Sequence, residues 1–166
     1  MGSEAGGIPI YSFVAFSNTG KTTFLEKLVP VIKAHGLRIA VYKHDAHEFD
    51  IDKPGKDSWR MTRAGADVTM ISSNTKAVIM ENRYVSPEEL VKKIDNVDII
   101  ITEGYKAGPW KKIAMRRLEN GKNFPVPPEN CFLLISDTPV EGNRKYYDIN
   151  DVEGVAQAIL SDIADR

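Results

Sequence analysis

The sequence predicts an α/β fold built on a mostly parallel sheet, and three observations carry that prediction. Apolar β-type runs alternate with segments of helical periodicity along most of the chain. Several runs, such as the Ile99-Ile-Ile101 centre of residues 97–102, are continuously apolar, the pattern of strands covered on both faces. The apolar run from Ile8 to Val14 passes through Ala15-Phe-Ser-Asn-Thr-Gly20-Lys21-Thr22-Thr23 into a helical pattern, which is a phosphate-binding loop in its strand–loop–helix setting.

Taken in order, residues 1–7 form a flexible lead with no apolar signal region, and residues 8–166 form one nucleotide-binding domain. Strands are predicted at 10–15, 38–42, 68–72, 77–81, 97–102, 113–116 and 131–136, with a hairpin across 72–77, near residues 68–81. After the loop, Phe24, Leu25, Leu28, Val29 and Ile32 share a helical face, which Pro30 should kink. A short helix from Asp57 to Arg63, capped by Asp57 or Ser58, stops at Gly65. Ser86-Pro-Glu-Glu89 and Asn150-Asp-Val-Glu153 read as capping boxes opening two further helices. Residues 120–130, with three prolines, read as a surface loop. The whole is a P-loop NTPase-type three-layer arrangement, with ligands expected at the carboxyl ends of the strands.

Three of those ends carry Gly20-Lys21-Thr22, Lys43-His44-Asp45 and Glu103-Gly104. Backbone N–H groups of Ser17, Asn18, Thr19, Gly20 and the residues after them would cradle phosphates. Lys21 would reach the β- and γ-phosphates, and the Thr22 hydroxyl would ligate Mg²⁺ beside Thr23. Ala15 replaces the usual first glycine, a change without strain only if its φ stays negative. Glu103 is the expected carboxylate toward magnesium. Asp45 would hold a magnesium-bound water or orient the attacking water, so the catalytic candidates are Lys21, Asp45 and Glu103 and the metal candidates Thr22, Glu103 and Asp45. His44 and His47, with Asp50 or Asp52, pose the alternative of a transition-metal site; the plainer alternative is a polar loop contacting phosphate or a pterin-like substrate. Arg60 and Arg63 share a helical face, and Lys106, Lys111, Lys112, Arg116 and Arg117 form a basic cluster. No Asn-Lys-x-Asp segment reads guanine; Asp137, after an apolar strand, is a candidate base contact or else a turn residue.

The 166 residues are 42% hydrophobic and 27% charged, with net charge −1, so no global field favours nucleic acid. No apolar stretch approaches the ~20 residues of a membrane span, so no membrane association is expected. The one cysteine, Cys131, reads as a buried strand residue in a reducing compartment, and a cytoplasmic location follows as the default.

The segments Ser17-Asn-Thr-Gly-Lys-Thr-Thr23 with Leu25-Glu-Lys-Leu28, Lys43-His44 with His47, Phe49-Asp50-x-Asp52-x-Pro54-Gly-Lys-Asp-Ser58 with Arg60 and Ala64-Gly-Ala66, Glu103-Gly-Tyr-Lys106 and Ser136-Asp137 together resemble the MobB family of molybdopterin-guanine dinucleotide biosynthesis. The resemblance runs from about Ile10 onward. It implies a homodimeric GTP-binding protein with weak Mg²⁺-dependent GTPase activity. Such a protein assists a MobA-family guanylyltransferase that joins GMP to molybdopterin, and molybdopterin itself is a possible bound ligand. Two readings stand beside it: a small-molecule kinase with the 106–117 segment as lid, and a non-catalytic, nucleotide-gated adaptor.

Overall fold

The computed structural model describes residues 4–44, 49–141 and 145–166. They fall into two compact units, one holding the residues up to His44 and from Val91 onward, the other the residues between.

The first unit contains β1 (Glu4–Ala5), β2 (Ile8–Val14), α1 (Lys21–Ala34) and β3 (Ile39–Lys43). The second contributes α2 (Asp57–Arg63), β4 (Val68–Ser72) and β5 (Ala77–Glu81), and the boundary falls within α3 (Pro87–Lys92). The first unit then resumes with β6 (Ile99–Glu103), β7 (Lys111–Arg116), β8 (Cys131–Ser136), β9 (Tyr146–Asp148) and α4 (Val152–Ala164). Single 3₁₀ turns at Leu118–Asn120 and Pro128–Asn130 lie between β7 and β8.

The sheet runs β3-β6-β2-β7-β8-β9, with every pair along that path parallel. β2 sits between β6 and β7, which explains why it is apolar on both faces. Tyr11 and Phe13 pack with Leu28 and Ile32 of α1, Val155 and Ile159 of α4, and Ile101. Their neighbours Ile10 and Val14 point the other way, as strand alternation requires, into separate clusters with Ile100, Trp110 and Val91 or with Ala114, Leu134 and Phe124. The layer opposite α1 and α4 is thus built largely from loop side chains.

Glu4–Ala5 pair antiparallel with Ile8–Pro9 through Gly6 and Gly7, whose φ angles are 58° and 86°. Residues 4–7 are therefore not a loose lead: Ala5 is a core residue. A two-glycine turn with both φ positive is the geometry that matches strand twist. β9 has no counterpart in the sequence reading, because three residues of Tyr-Tyr-Asp carry too short a pattern.

In the second unit β4 and β5 form the predicted hairpin, from Val68↔Glu81 to Ser72↔Ala77. The Ser73 N–H donates to the Lys76 carbonyl at 2.7 Å to close its turn. α2 precedes it, and the Thr62 and Thr69 hydroxyls share a hydrogen bond of 2.8 Å. The expected Asp57 or Ser58 cap is not made: Lys56 occupies the cap position without a side-chain bond, and Asp57 lies in the first turn, where its charge favours the helix dipole. The second predicted capping box is shifted by one residue, Asp151 rather than Asn150 accepting the Gly154 N–H at 2.9 Å. Ser86 does cap α3, accepting the Glu89 N–H at 3.1 Å. Pro30 lies inside α1 on its exposed side, and the helix continues through it. Cys131 is half-buried at the first position of β8, not fully buried, because it begins the strand.

Candidate functional site

The phosphate-binding loop belongs wholly to the first unit. β2 delivers the chain at Ala15, and α1 begins at Lys21 with Gly20, at φ 88°, in the cap position. Asn18 is the other left-handed residue of the loop, at φ 64°, a conformation asparagine tolerates better than most side chains. Ala15 is not among the positive-φ residues and packs into the core, so its methyl takes the place of the usual glycine without backbone strain. The buried Thr19 hydroxyl donates to the Phe16 carbonyl at 2.8 Å and closes the turn from within.

The loop lines a hollow of about 290 Å³ together with Glu103. The Thr22 hydroxyl donates to Glu103 Oε1 at 2.6 Å, and Lys21 Nζ stands 3.8 Å from the same oxygen. Burial pushes the Lys21 ammonium below the ordinary lysine value of 10.5; Glu103 opposes that push, and Lys106 and Lys43 add to it. A polyphosphate would supply the negative charge this corner lacks. Thr22 and Glu103 offer a hydroxyl and a carboxylate oxygen side by side, a hard-donor set that fits magnesium with the remaining positions left to water and phosphate.

Glu103 is placed by the sheet. β6 lies between β2 and β3 with Phe13 and Lys43 in register beside Glu103. The chain then turns through Gly104 at φ 94°, where a Cβ would stand 3.3 Å from the His44 carbonyl. The turn is pinned from below: the Thr102 hydroxyl donates to Ser12 Oγ at 2.9 Å, and Ser12 donates to the Gly104 carbonyl at 3.0 Å. The Gly104 N–H donates to the Phe13 carbonyl at 2.9 Å.

Of the expected basic cluster, only part meets the loop. Arg117 Nε donates to the Thr19 carbonyl at 3.4 Å, and Lys106 Nζ lies 4.4 Å from the Phe16 ring centroid. Lys111 instead pairs with Asp162 at 2.5 Å, Lys112 donates to the Gly108 carbonyl, and Arg116 is held by Ser136, Thr138 and Pro139. These residues sit on one short strand, whose alternation sends neighbours to opposite faces.

Asp137 is tied to the loop at one remove. Its two oxygens take the Leu118 N–H at 2.9 and 3.2 Å, and two residues on, Asn120 Nδ2 donates to the Asn18 carbonyl at 3.1 Å. The 117–120 turn therefore braces the phosphate loop from outside. Sequence reading placed Asn120 in a surface loop and did not anticipate Ser12 or Thr102; partners about 90–100 residues apart leave no local signal.

Asp45 and His47 lie outside the described residues. Tyr42 and the ring of His44 share a hydrogen bond of 3.0 Å, and the His44 ring lies 4.9 Å from that of Tyr105. Among the described residues no three His, Cys, Asp or Glu side chains gather as a metal site. In the second unit Arg60 stands 3.7 Å from Asp57, and Arg63 lies 5.6 Å from the Trp59 ring centroid.

Residues 10–137 match the profile of the family described as molybdopterin guanine dinucleotide synthesis protein B. That span covers the loop, Glu103 and Asp137. The chain belongs to the MobB family. Relatives named molybdopterin-guanine dinucleotide biosynthesis adapter protein include one from Escherichia coli, 36% identical, with 92% of each chain covered. One from Haemophilus influenzae is 35% identical, with 92% of this chain and 88% of the relative covered. A crystal structure of molybdopterin-guanine biosynthesis protein B matches with TM-score 0.68 and 29% identity, over 92% of this chain and 98% of that one. Bacillus subtilis MobB shares the fold at TM-score 0.75 and 24% identity, over 93% and 97%. The predicted α/β class with a mostly parallel sheet is thus the MobB fold. Among the described residues no helix is long and apolar enough to cross a membrane.

Proposed function

We propose that this chain is a GTP-binding adapter of molybdopterin-guanine dinucleotide synthesis, with a weak Mg²⁺-dependent GTPase activity. The observation that carries the reading is the contact of Lys21 and Thr22 with Glu103 at the mouth of the loop that opens α1. Thr22 and Glu103 would hold a magnesium ion there, which would supply Lewis-acid chemistry at the phosphates, and Lys21 would neutralise their charge. Asn18 and Gly20, both left-handed, set the bends of the loop whose N–H groups would meet the phosphates. Asp45 serves the attacking water. Arg117 lies beside the loop with its Nε–H donated to the Thr19 carbonyl rather than to a phosphate, so hydrolysis without a partner is slow. Asp137 contacts the guanine base through the acceptor capacity that Leu118 leaves it.

The adapter role follows the names carried by the relatives. The partner is a MobA-family guanylyltransferase that joins GMP to molybdopterin, the working form is a homodimer, and the location is cytoplasmic.

Titration calorimetry with Mg²⁺ tests the core of this reading by comparing GTP, ATP and the Lys21→Ala chain. GTP should bind more tightly than ATP, and both should be lost with Lys21. Equal binding of the two would point to a phosphotransferase of broader taste; GTP binding retained without Lys21 would remove the loop as its site.

A further inference from the structure

The second unit holds a hollow of about 590 Å³ that the phosphate loop does not use. That volume lies in the ordinary range for small-molecule sites. Phe49, Ile51 and Ile79 line it, yet are 72%, 70% and 68% exposed, an uncommon concentration of large apolar side chains in solvent. Trp59 forms another wall, with the Arg63 guanidinium over its ring. No carboxylate lies within ion-pair distance of Arg63 among the described residues.

Asp52 also lines the hollow. Its Oδ1 accepts the Lys53 N–H at 2.8 Å. Its Oδ2 is shielded from solvent and has no hydrogen-bond partner, the one such side-chain atom among the described residues. A shielded carboxylate oxygen without a donor is costly, and the cost is removed when the side chain turns to meet a ligand that brings an N–H. The hollow thus offers flat apolar walls, Arg63 as a cation and the carboxylates of Asp50, Asp52 and Glu81, of which Glu81 is paired with Arg83 at 2.8 Å.

We propose that this hollow binds a fused 2-amino-4-oxopyrimidine ring carrying a phosphate. Such a ring presents a ring N–H and an exocyclic NH₂ side by side, the pair a carboxylate accepts best. Its flat body stacks on Trp59 and Phe49, and its phosphate meets Arg63. Pterins and guanine share that edge, and the choice of ring rests on the molybdopterin-guanine dinucleotide reading above. The pterin is the assigned occupant, because the nucleotide already has the phosphate loop.

The test uses the full chain and 6-hydroxymethylpterin monophosphate, followed by fluorescence anisotropy and by quenching against Trp59. Saturable binding should persist in Lys21→Ala and weaken at least about tenfold in Asp52→Asn and in Arg63→Gln, the loss of a charged hydrogen bond. Trp59→Phe should abolish most quenching and keep the anisotropy change. Arg63 is exposed, so its variant reads the site even if Asp52→Asn loosens the unit; amide exchange of β4 and β5 reports on that. Binding unchanged in both charge variants, abolished by Lys21→Ala, or absent in the unaltered chain would overturn the proposal. Displacement of the probe by GMP from the Lys21→Ala protein would keep the ring chemistry and assign the site to the guanine end. GTP titrations of Asp52→Asn and Arg63→Gln separate this test from the reading of the phosphate loop, which stands or falls on Lys21.

Discussion

Lys21 carries its charge where burial disfavours it, and the sign of that effect gives a stability prediction. At neutral pH both the folded and unfolded chains hold the Lys21 proton, so the burial penalty is fully present. As pH rises through the depressed folded value toward the ordinary 10.5, the folded chain gives up the proton first, and folding is relieved of the penalty. Lys21→Met removes the charge at every pH. The ligand-free variant should therefore melt no lower than the unaltered protein at pH 7, and the two should converge as pH approaches that of free lysine. A variant that melts lower across the range would mean that the attraction to Glu103 outweighs burial. The same variant should show no rise in melting temperature with GTP and Mg²⁺, which marks the residue as kept for its ligand at the expense of the fold. Asp137 offers a second test at this scale. Asp137→Asn keeps an oxygen for the Leu118 N–H but loses the charge and half the acceptor capacity that a guanine edge uses. GTP affinity should fall about tenfold with ATP affinity unchanged; an equal fall in both would make the residue a brace of the loop alone.

Among the elements, α1 bears the clearest conflict between local preference and fold. Pro30 has no N–H to give the Glu26 carbonyl, yet it sits on the exposed side of a fourteen-residue helix whose other side holds Phe24, Leu25, Leu28 and Ile32. Burial of that face overrides the proline. Pro30→Ala should stabilise the protein by about 1–3 kcal/mol in urea unfolding without altering GTP affinity. Loss of affinity would show that the proline sets the pose of the helix end carrying Lys21. The same contrast explains what was legible. The phosphate loop, the hairpin and the buried strands declare themselves through local pattern, because burial dictates periodicity and glycine dictates the turn. Asp151 took the cap expected of Asn150 because Asn150 is engaged in a turn with Asp148, its N–H on the Asp148 carboxylate at 2.8 Å. The brace through Leu118 and Asn120, and the Thr102–Ser12 pin under Gly104, exist only once distant strands lie side by side. Pattern alone could not have placed them.

At the scale of the whole chain the two units are unequal in how they are held. The first closes six parallel strands over two helices and a core of fully buried side chains such as Phe13, Leu28 and Ile101. The second rests on a two-stranded hairpin and the seven-residue α2, with Met70 and Ile79 paired across the strands and both largely exposed. A two-stranded ribbon with an uncovered apolar face gains little from burial, and its backbone bonds are open to solvent. Native-state hydrogen exchange should therefore find the amides of β4 and β5 opening at a lower free energy than those of β2 and β6. Equal protection in both units would mean that they open as one cooperative body. The pterin probe adds a second axis to the measurement. A ligand that binds only the closed form slows opening by mass action, so the probe should raise protection in β4 and β5 and leave β2 and β6 unchanged, while GTP with Mg²⁺ should protect the start of α1 instead. Protection that appears at α1 on adding the pterin would place that ligand on the phosphate loop and take it away from Asp52.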